Sequence, residues 1–588
     1  MTTTKVSLAP VIEVGGRAMQ SSHYDALRGL RIERALGLVG RATLRFTDDD
    51  FKLSKTSTYA IGAKITVKQY PSTELFRGTV VGVALEQQPR RVPELVVTAD
   101  DDGYKLNRGS KTVTHLKTSY TAVVRSILMK AGVTPKVVTG SHGTNDYLLQ
   151  AGSDLAFIDT VASRIGYVWW MDEGQFRFEP AGTSSGRLTV PFDSELIDFS
   201  VRASALRPTE MKMSGWAPDN QQKVTGQTKA SSIWADPPQF VRSYVTDAKA
   251  LGTAISGSGE LSPADQTEAQ QAAQAAYDDS LTASVVARGT CAIDARIKPA
   301  TTLQITKAGP ATGTYHVTEV QHVYDSNGFR TRFVAGPLRP AALVDTLGPS
   351  QPDPGFTIQG LVVGVVTNNV DPTKSGRVKV KYAGIPDEVE SAWARVLTTS
   401  GGKSRGVVFL PEVEDEVLVG FEGNDARRPV VLGALFSKQN TLPEADKLLA
   451  GGKVNYRRIT SRSGHIIELA DGTTPATQHV LIKLGTAEHS IRLGADELTV
   501  EVAAGKPITI KAGTAKFAIS KTGDVTIEGT KINIKATAEL NLEAPKSALK
   551  GNAQVQVQGA QVEVKANAIA NVEAGGPLSL KGLTVAVN

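Results

Sequence analysis

The chain reads as a mainly β protein with a few helices, and three observations predict this. Aromatic residues make up 6% of the 588 residues while glycines number 55, a balance that suits many short strands and turns better than one large enzyme core. Runs of alternating apolar and polar residues, broken by Gly, Pro and Asp, fill most of the chain. From about residue 490 to the end such runs recur every seven or eight residues with no helical period. A chain of this length suggests about three to five domains.

Residues 1–100 read as strands, with ATLRFTD, KITVKQY, FRGTVVGVALE and ELVVTAD alternating or rich in β-branched residues. TSYTAVVRSILMKAGV (118–133) changes period: Val123, Val124, Ile127 and Leu128 fall at helical spacing, and Ala131-Gly132 ends the run. SDLAFIDTVASRIGYVWW repeats the scheme. Ser153-Asp154 caps a helix whose apolar face is Leu155, Ile158, Val161, Ala162 and Ile165; Gly166 closes it and the strand YVWWMD follows. QFRFEP and RLTVPF are strands joined by AGTSSG, and residues 207–260 read as strands with long loops. SPADQTEAQQAAQAAYDDSL (262–281) reads as a helix with Pro263 in its first turn. Strands return in TCAIDARI, TLQITKA, TYHVTEVQHVYD and GFRTRFVAG.

LRPAALVDTLGPSQPDPG (338–355) is a Pro/Gly-rich boundary. After it, IQGLVVGVVT, GRVKVKYAG, SAWARVLT, EVLVGFEG and PVVLGALF predict a small closed or half-open barrel over 356–436. A polar segment leads to the strands of RRITSRSGHIIELADG.

In the tail, each unit reads apolar-x-apolar-polar-small, and Val525, Ile532, Leu540, Ala548, Val555 and Val562 mark successive units. One unit offers two or three inward side chains and a turn, too little to offset chain ordering. A unit of eight residues makes one side of a triangle, which leaves the other two sides to other chains. The expectation is an intertwined trimeric β-prism; the alternative is a monomeric β-solenoid, whose coils are usually wider. Stacked layers at about 4.8 Å each give a needle of roughly 50–60 Å.

Net charge is +6 and the isoelectric point about 9.0, with no Lys/Arg block, so nucleic acid is not expected as a partner. Cys291 is the single cysteine, which excludes an internal disulfide and reads as a small buried filler. MTTTKVSLAPVIEVGG has no charged start followed by an apolar stretch, and no run of 18 apolar residues exists, so cytosolic synthesis without a signal peptide is expected.

No catalytic residue, metal or cofactor is expected. GTSSG (182–186) fits G-x-S-x-G around Ser184, but strands flank it on both sides where a nucleophile elbow needs a strand and a helix. His316 and His322 are read as sharing one face of a strand, without a third ligand. The acidic run Glu412, Glu414, Asp415 and Glu416 reads as a solvated face or a contact with another chain. GSG (257–259) lacks the Lys-Ser/Thr of a phosphate loop. Trp169-Trp170 reads as packing in the first module or between chains.

GRVKVKYAGIPDEVESAWARVLTTSGGKSRGVVFLPEVEDEVLVGFEGNDARRPVVLGALFS resembles the oligosaccharide-binding-type (OB) barrel of VgrG and phage baseplate spikes. Gly376, Arg377, Trp393, Arg395, Val396, Phe409, Pro411, Glu416, Val417, Phe421, Gly423, Asp425, Arg428, Pro429, Gly433 and Phe436 carry the match. SDLAFIDTVASRIGYVWW and TYHVTEVQHVYDSNGFRTRFVAGPLRP resemble the tail-hub module of that family, and RITSRSGHIIELADG its join to the needle.

The resemblance implies a tail-hub module over 1–345, built of two β-barrel-like subdomains with inserted helices. A linker (346–355), an OB-fold barrel (356–437), a neck (438–489) and a trimeric β-helix needle (490–588) follow. It implies a homotrimer whose hubs form a pseudo-sixfold ring capping an inner tube, with helices 118–132 and 153–165 supporting the tube-facing side. The implied partners are a PAAR-type tip, tube and hub adaptor proteins, baseplate wedge proteins, often an effector, and transiently a target membrane. Assembly is cytoplasmic, in a particle that stays in the cell or is released; type VI secretion and extracellular machines are not separated. Leu578, Leu580, Leu583, Val585 and Val587 alternate at the end and are the expected tip-binding residues. Between Ser437 and Asn455 there is no room for the lysozyme domain of T-even spikes, and the sequence ends within the repeat. A second reading is an oligosaccharide- or nucleic-acid-binding barrel using Tyr382, Trp393, Phe409, Phe421 and Phe436; it requires an exposed aromatic stripe.

Overall fold

The alternating runs of the first hundred residues become β1 (Leu27–Ala35), β2 (Arg41–Thr47), β3 (Lys64–Gln69), β4 (Thr73–Glu86) and β5 (Glu94–Asp100). Alternation of period two sends Leu30, Ile32, Ala42, Leu44, Phe46 and Val97 into one core. Helices α1 (Tyr120–Lys130) and α2 (Asp154–Ile165) follow, where Ser119 and Ser153 accept from the N–H groups of Ala122 and Ala156 at 3.3 and 3.2 Å. Gly166 ends α2 at φ 70°. The next strand, β6 (Tyr167–Asp172), buries both Trp169 and Trp170 within this module. Trp169 Nε1 donates to Asp159 at 3.0 Å, and its ring stacks on Phe176.

The structure is a computed structural model. It describes residues 9–338 and 357–587, apart from 139, 141–142, 205–206, 218–220, 234–237, 246–252, 259–262, 264, 384–388 and 451. The linker expected at 346–355 lies outside the described residues.

A second set of strands comprises β7 (Leu196–Ala203), β8 (Val285–Ala292), β9 (Thr301–Thr306), β10 (Gly313–His316), β11 (Glu319–Asp325) and β12 (Gly328–Ala335). β9 and β10 form a separate sheet with Gly186–Pro191, and the other strands of both sets join one sheet in the order β7-β8-β12-β11-β1-β2-β5-β4-β3, continued past β3 by Val11–Val14 and Arg17–Ala18. Cys291 is buried on β8. Asp172 ties the parts together: its carboxylate meets Arg34 of β1 at 3.5 Å, Arg177 at 3.3 Å and Lys298 at 3.1 Å.

Three local expectations are corrected. The helix expected from 262 with Pro263 in its first turn is α3, Gln266–Ser284, and Pro263 precedes it. Asp265 sets that start, because its side chain caps the N–H of Glu268 at 2.8 Å. His316 and His322 do not share a strand: the first ends β10 and the second lies in β11. Between them Val317 bonds with residues 300 and 301 while Thr318 donates to Val334, so the chain changes sheets there. Within 207–260, strands Glu210–Ala217 and Gln222–Thr228 are present, but Gln239–Val245 is a helix.

The barrel forms from β13 (Val362–Asn368), β14 (Lys379–Tyr382), β15 (Glu416–Phe421) and β16 (Pro429–Ala434) in the order β14-β13-β15-β16, with Arg395–Val396 beside β16. Val366, Val378, Val380, Ala394, Val417, Val419 and Val431 fill it.

The chain divides into two compact units, Met1–Leu442 and Pro443–Asn588. In the second, β17 (Tyr456–Thr460), β18 (Ile466–Asp471), β19 (Gln478–Leu484), β20 (His489–Gly494) and β21 (Leu498–Glu501) make an antiparallel meander. A second meander is β22 (Ile508–Ala512), β23 (Ala515–Ile519) and β24 (Val525–Glu528). The repeat read from 490 onward thus pairs within the chain up to Glu528. No strand pairing occurs among the described residues from 529 to 587.

Candidate assembly site

Two features stand out: the junction of the barrel with the first module, and the apolar surfaces left open in the second unit.

Arg427 and Asp425 stand in the loop between β15 and β16. Arg427 grips Asp425 with Nε at 3.1 Å and Nη2 at 2.8 Å, and reaches Glu268 on α3 with Nη1 at 3.1 Å. Arg164 of α2 donates to the same Glu268 oxygen at 2.7 Å and lies 3.5 Å from Asp425. Tyr120 of α1 donates to Glu268 at 3.2 Å. Tyr120, Arg164 and Asp425 are buried, and Arg427 and Glu268 are nearly so. Burial alone would raise the Asp425 carboxyl; the Arg427 and Arg164 guanidiniums overcome it and hold it below the usual range. Burial pushes the Tyr120 hydroxyl up to about 12. Tyr147 and Leu149 add an apolar seam against Val389 and Ala426. The signal for Asp425 and Arg428 was in the barrel motif, but Arg427, Glu268, Arg164 and Tyr120 carried none, because their partners come from distant segments.

The other motif residues are structural. Gly376 holds φ 74° in the loop before β14. Arg377 donates to both oxygens of Asp371, at 2.9 and 3.2 Å, and holds that carboxyl well below the usual range. Trp393 lies under two cations, with Arg377 and Lys379 at 5.9 and 5.6 Å from its ring. Arg395 pairs with Glu422, Gly423 turns at φ 61°, and Arg428 donates to Pro263 O at 2.8 Å. Glu416 and Pro429 open β15 and β16, and Pro411 is buried before β15. The required aromatic stripe does not form: Tyr382 is buried, Phe421 packs on it at 5.7 Å, and Trp393 is flanked by cations. Phe409 and Phe436 are exposed, and Phe409 follows exposed Val408. Glu412, Glu414 and Asp415 form a turn, in which Asp415 accepts from the Glu412 N–H at 2.7 Å.

In the first meander of the second unit, Ile459, Ile467, Ile482, Ile491 and Val500 stand opposite one another across all five strands. Leu469, Val480, Leu493 and Leu498 form a second row on the same face. The opposite face carries Arg458, Glu468 and Arg492. Every residue of the two apolar rows is 38–67% exposed. A sheet buries its apolar face in any stable arrangement, and here that face is bare.

Beyond Glu528 the chain bends near residues 530, 537, 545, 552, 560, 567, 575 and 582, at intervals alternating between seven and eight. Ile532 and Ile534, Leu540 and Leu542, Val555 and Val557, and Val562 and Val564 lie between bends and are exposed. Leu578, Leu580, Leu583, Val585 and Val587 are exposed as well.

Ser184 sits in the turn before the strand Gly186–Pro191, donating to Gly186 O at 2.8 Å and accepting from Thr302. His316 reaches Thr302, whereas His322 is buried on Thr331. Gly257 and Ser258 lie in a strand, and residue 259 lies outside the described residues. Among the described residues there is no cluster of metal-ligating side chains, and no helix is long and apolar enough to cross a membrane.

Residues 6–325 match the family described as the Alg8 N-terminal domain. Residues 362–436 match the type VI secretion system/phage-baseplate injector OB domain. The type VI secretion system spike protein VgrG5 of Pseudomonas aeruginosa is 33% identical over 157 residues, 23% of this chain and 19% of that protein. VgrG1c of the same organism is 31% identical over 87 residues, 14% of this chain and 12% of that protein. The match thus spans a fifth or less of the length of these relatives. Among solved structures, the E. coli c3393 protein, described as a type VI secretion component similar to T4 tail proteins gp27 and gp5, aligns with 72% of this chain and 99% of its own. The TM-score there is 0.48 and the identity 15%. A chain of the Francisella PdpA-VgrG complex aligns with 88% of this chain and 87% of its own, at TM-score 0.45 and 9% identity.

Proposed function

The chain belongs to the Alg8 N-terminal domain family, and from that premise, with an injector OB domain behind it, we propose that it is the homotrimeric spike of a contractile, phage-tail-like injection machine. The observation that carries this reading is the bare apolar face of the β17–β21 meander, together with the repeat beyond Glu528, which has no strand pairing among the described residues. Three copies placed with those faces inward bury both apolar rows and give every exposed repeat a neighbour on each side.

In this reading residues 1–345 cap an inner tube, the barrel (356–437) and neck (438–489) align the three chains, and 490–588 form the piercing needle. The role is mechanical. Interlocked chains resist unfolding on impact because none leaves without unthreading. The apolar end, Leu578 to Val587, takes a PAAR-type tip; tube adaptors, baseplate wedge proteins and an effector are the other partners. Assembly takes place in the cytoplasm.

Light scattering on the full chain and on a version lacking 490–588 tests the assembly. The expected mass is near three times 62.3 kDa, falling to a monomer on truncation. A monomeric full-length protein would sink the reading.

A further inference from the structure

Two histidines take the same place at one end of the first meander in the second unit. His465 immediately precedes β18, and His489 opens β20. Each stands two residues before an isoleucine of the bare row, Ile467 and Ile491, so alternation puts both on the apolar side of the sheet. Both are half-buried, and both use Nδ1 in the same way. His465 Nδ1 accepts from the backbone N–H of Gly485 at 3.0 Å, and His489 Nδ1 accepts from that of Ala503 at 3.0 Å. The first bond fastens the turn between β17 and β18 to the one between β19 and β20. There Gly464 and Gly485 lie so close that no side chain fits on Gly485. The second bond reaches the connection between β21 and β22, where the chain passes from the first meander to the second and Lys506 donates to Ala503 O at 3.1 Å.

A backbone N–H only donates, so each Nδ1 presents its lone pair and the neutral ring carries its proton on Nε2. A charged imidazole donates from both nitrogens. Protonation therefore turns each of these contacts into two donors facing one another. Histidine is the side chain whose charge changes between pH 5 and 8. The charged residues of the three turns are Arg462, Glu488 and Lys506, while Lys483 and Glu501 alternate to the opposite face. The third histidine of the meander, His479, also lies on that opposite face, with Nε2 3.0 Å from Glu468, which accepts from Arg458 at 2.6 Å as well. Charging His479 strengthens its contact with a carboxylate, whereas charging His465 or His489 breaks one with an N–H.

We propose that His465 and His489 form an acid-sensitive clasp at this end of the meander. Neutral, they fasten its turns, and His489 fixes the connection into the second meander; protonated, they release both. Each bond exists only with the uncharged ring, so the stability it lends is present at high pH and lost as pH falls. The clasp is made within one chain, so it goes beyond the assembly proposed above and stands whether or not that assembly forms.

Amide hydrogen exchange on the full chain at pH 8 and pH 5, expressed at each pH as protection relative to an unstructured amide, tests the clasp. Protection of the Gly485 and Ala503 N–H groups is expected to fall about 2- to 10-fold in acid, the size set by one hydrogen bond. A variant carrying His465→Asn and His489→Asn puts an amide oxygen where each ring has Nδ1, an acceptor that does not titrate. Its protection at both amides is expected to be the same at the two pH values. His465→Ala with His489→Ala removes the acceptors, and low protection is expected at both. The clasp is overturned by equal protection of the parent at pH 8 and pH 5, by an acid loss in the Asn variant as large as the parent's, or by full protection in the Ala variant.

Discussion

Arg427 of the barrel donates to Glu268 of α3 at 3.1 Å, joining residues 159 positions apart in a largely buried site. Removing the guanidinium leaves Glu268 and Asp425 buried with one cation fewer. Arg427→Met is expected to destabilise the first unit by about 3–5 kcal/mol, the range for breaking a buried pair from one side. Denaturant unfolding of the full protein, followed by Trp fluorescence, measures it. Adding Glu268→Gln and Asp425→Asn to Arg427→Met is expected to recover part of the loss.

Two buried groups give the first unit opposite pH slopes. Burial raises the Asp101 carboxyl to about 7 against backbone N–H bonds from Gly103 and Gly40. The folded state therefore holds a proton that the unfolded state releases near pH 4, and stability falls as pH rises from about 4 to 7. Burial lowers His322 to about 3, so stability falls as pH drops below about 6.5. Thermal unfolding of Asp101→Asn is expected to lose the first slope and keep the second. A variant whose slope between pH 4 and 7 matches that of the parent would refute the assignment to Asp101.

Ile467 lies in the middle strands of the bare row, opposite Ile459 and Ile482. In a single chain Ile467→Asp touches water and changes little. In the proposed trimer it buries three carboxylates at one level, each of which carries a desolvation cost of several kcal/mol. The expected outcome is loss of the trimer by light scattering while circular dichroism of the first unit is unchanged.

Deleting 578–588 removes the last exposed apolar residues. The trimer mass is expected to persist, because the meanders and the remaining repeats are intact, while capture of a PAAR-type tip protein is lost. Retained capture would move the tip site elsewhere.

Much of this was legible from local sequence. Period two gave β2 to β5 and the barrel strands, because a half-buried strand writes its inner face into every second residue. Ser153 and Gly166 marked helix ends through the bonds their side chain or backbone makes within one turn. The start of α3 was misplaced because Asp265 caps more strongly than Pro263 opens. The shared strand of His316 and His322 failed because hydrogen bonds of Val317 and Thr318 with residues 300, 301 and 334 override alternation.

Local pattern alone makes the protein legible as mainly β, with a small barrel after a Pro/Gly boundary and a tail that repeats every seven or eight residues. Each depends on neighbours within a few positions, where side-chain pattern and backbone chemistry act directly. Packing of distant segments, by contrast, is what brings Glu268, Arg164 and Tyr120 to Arg427 and lets Asp172 hold three segments together. Those relations depend on which distant segments pack together, and no short-range pattern in a single chain encodes that choice.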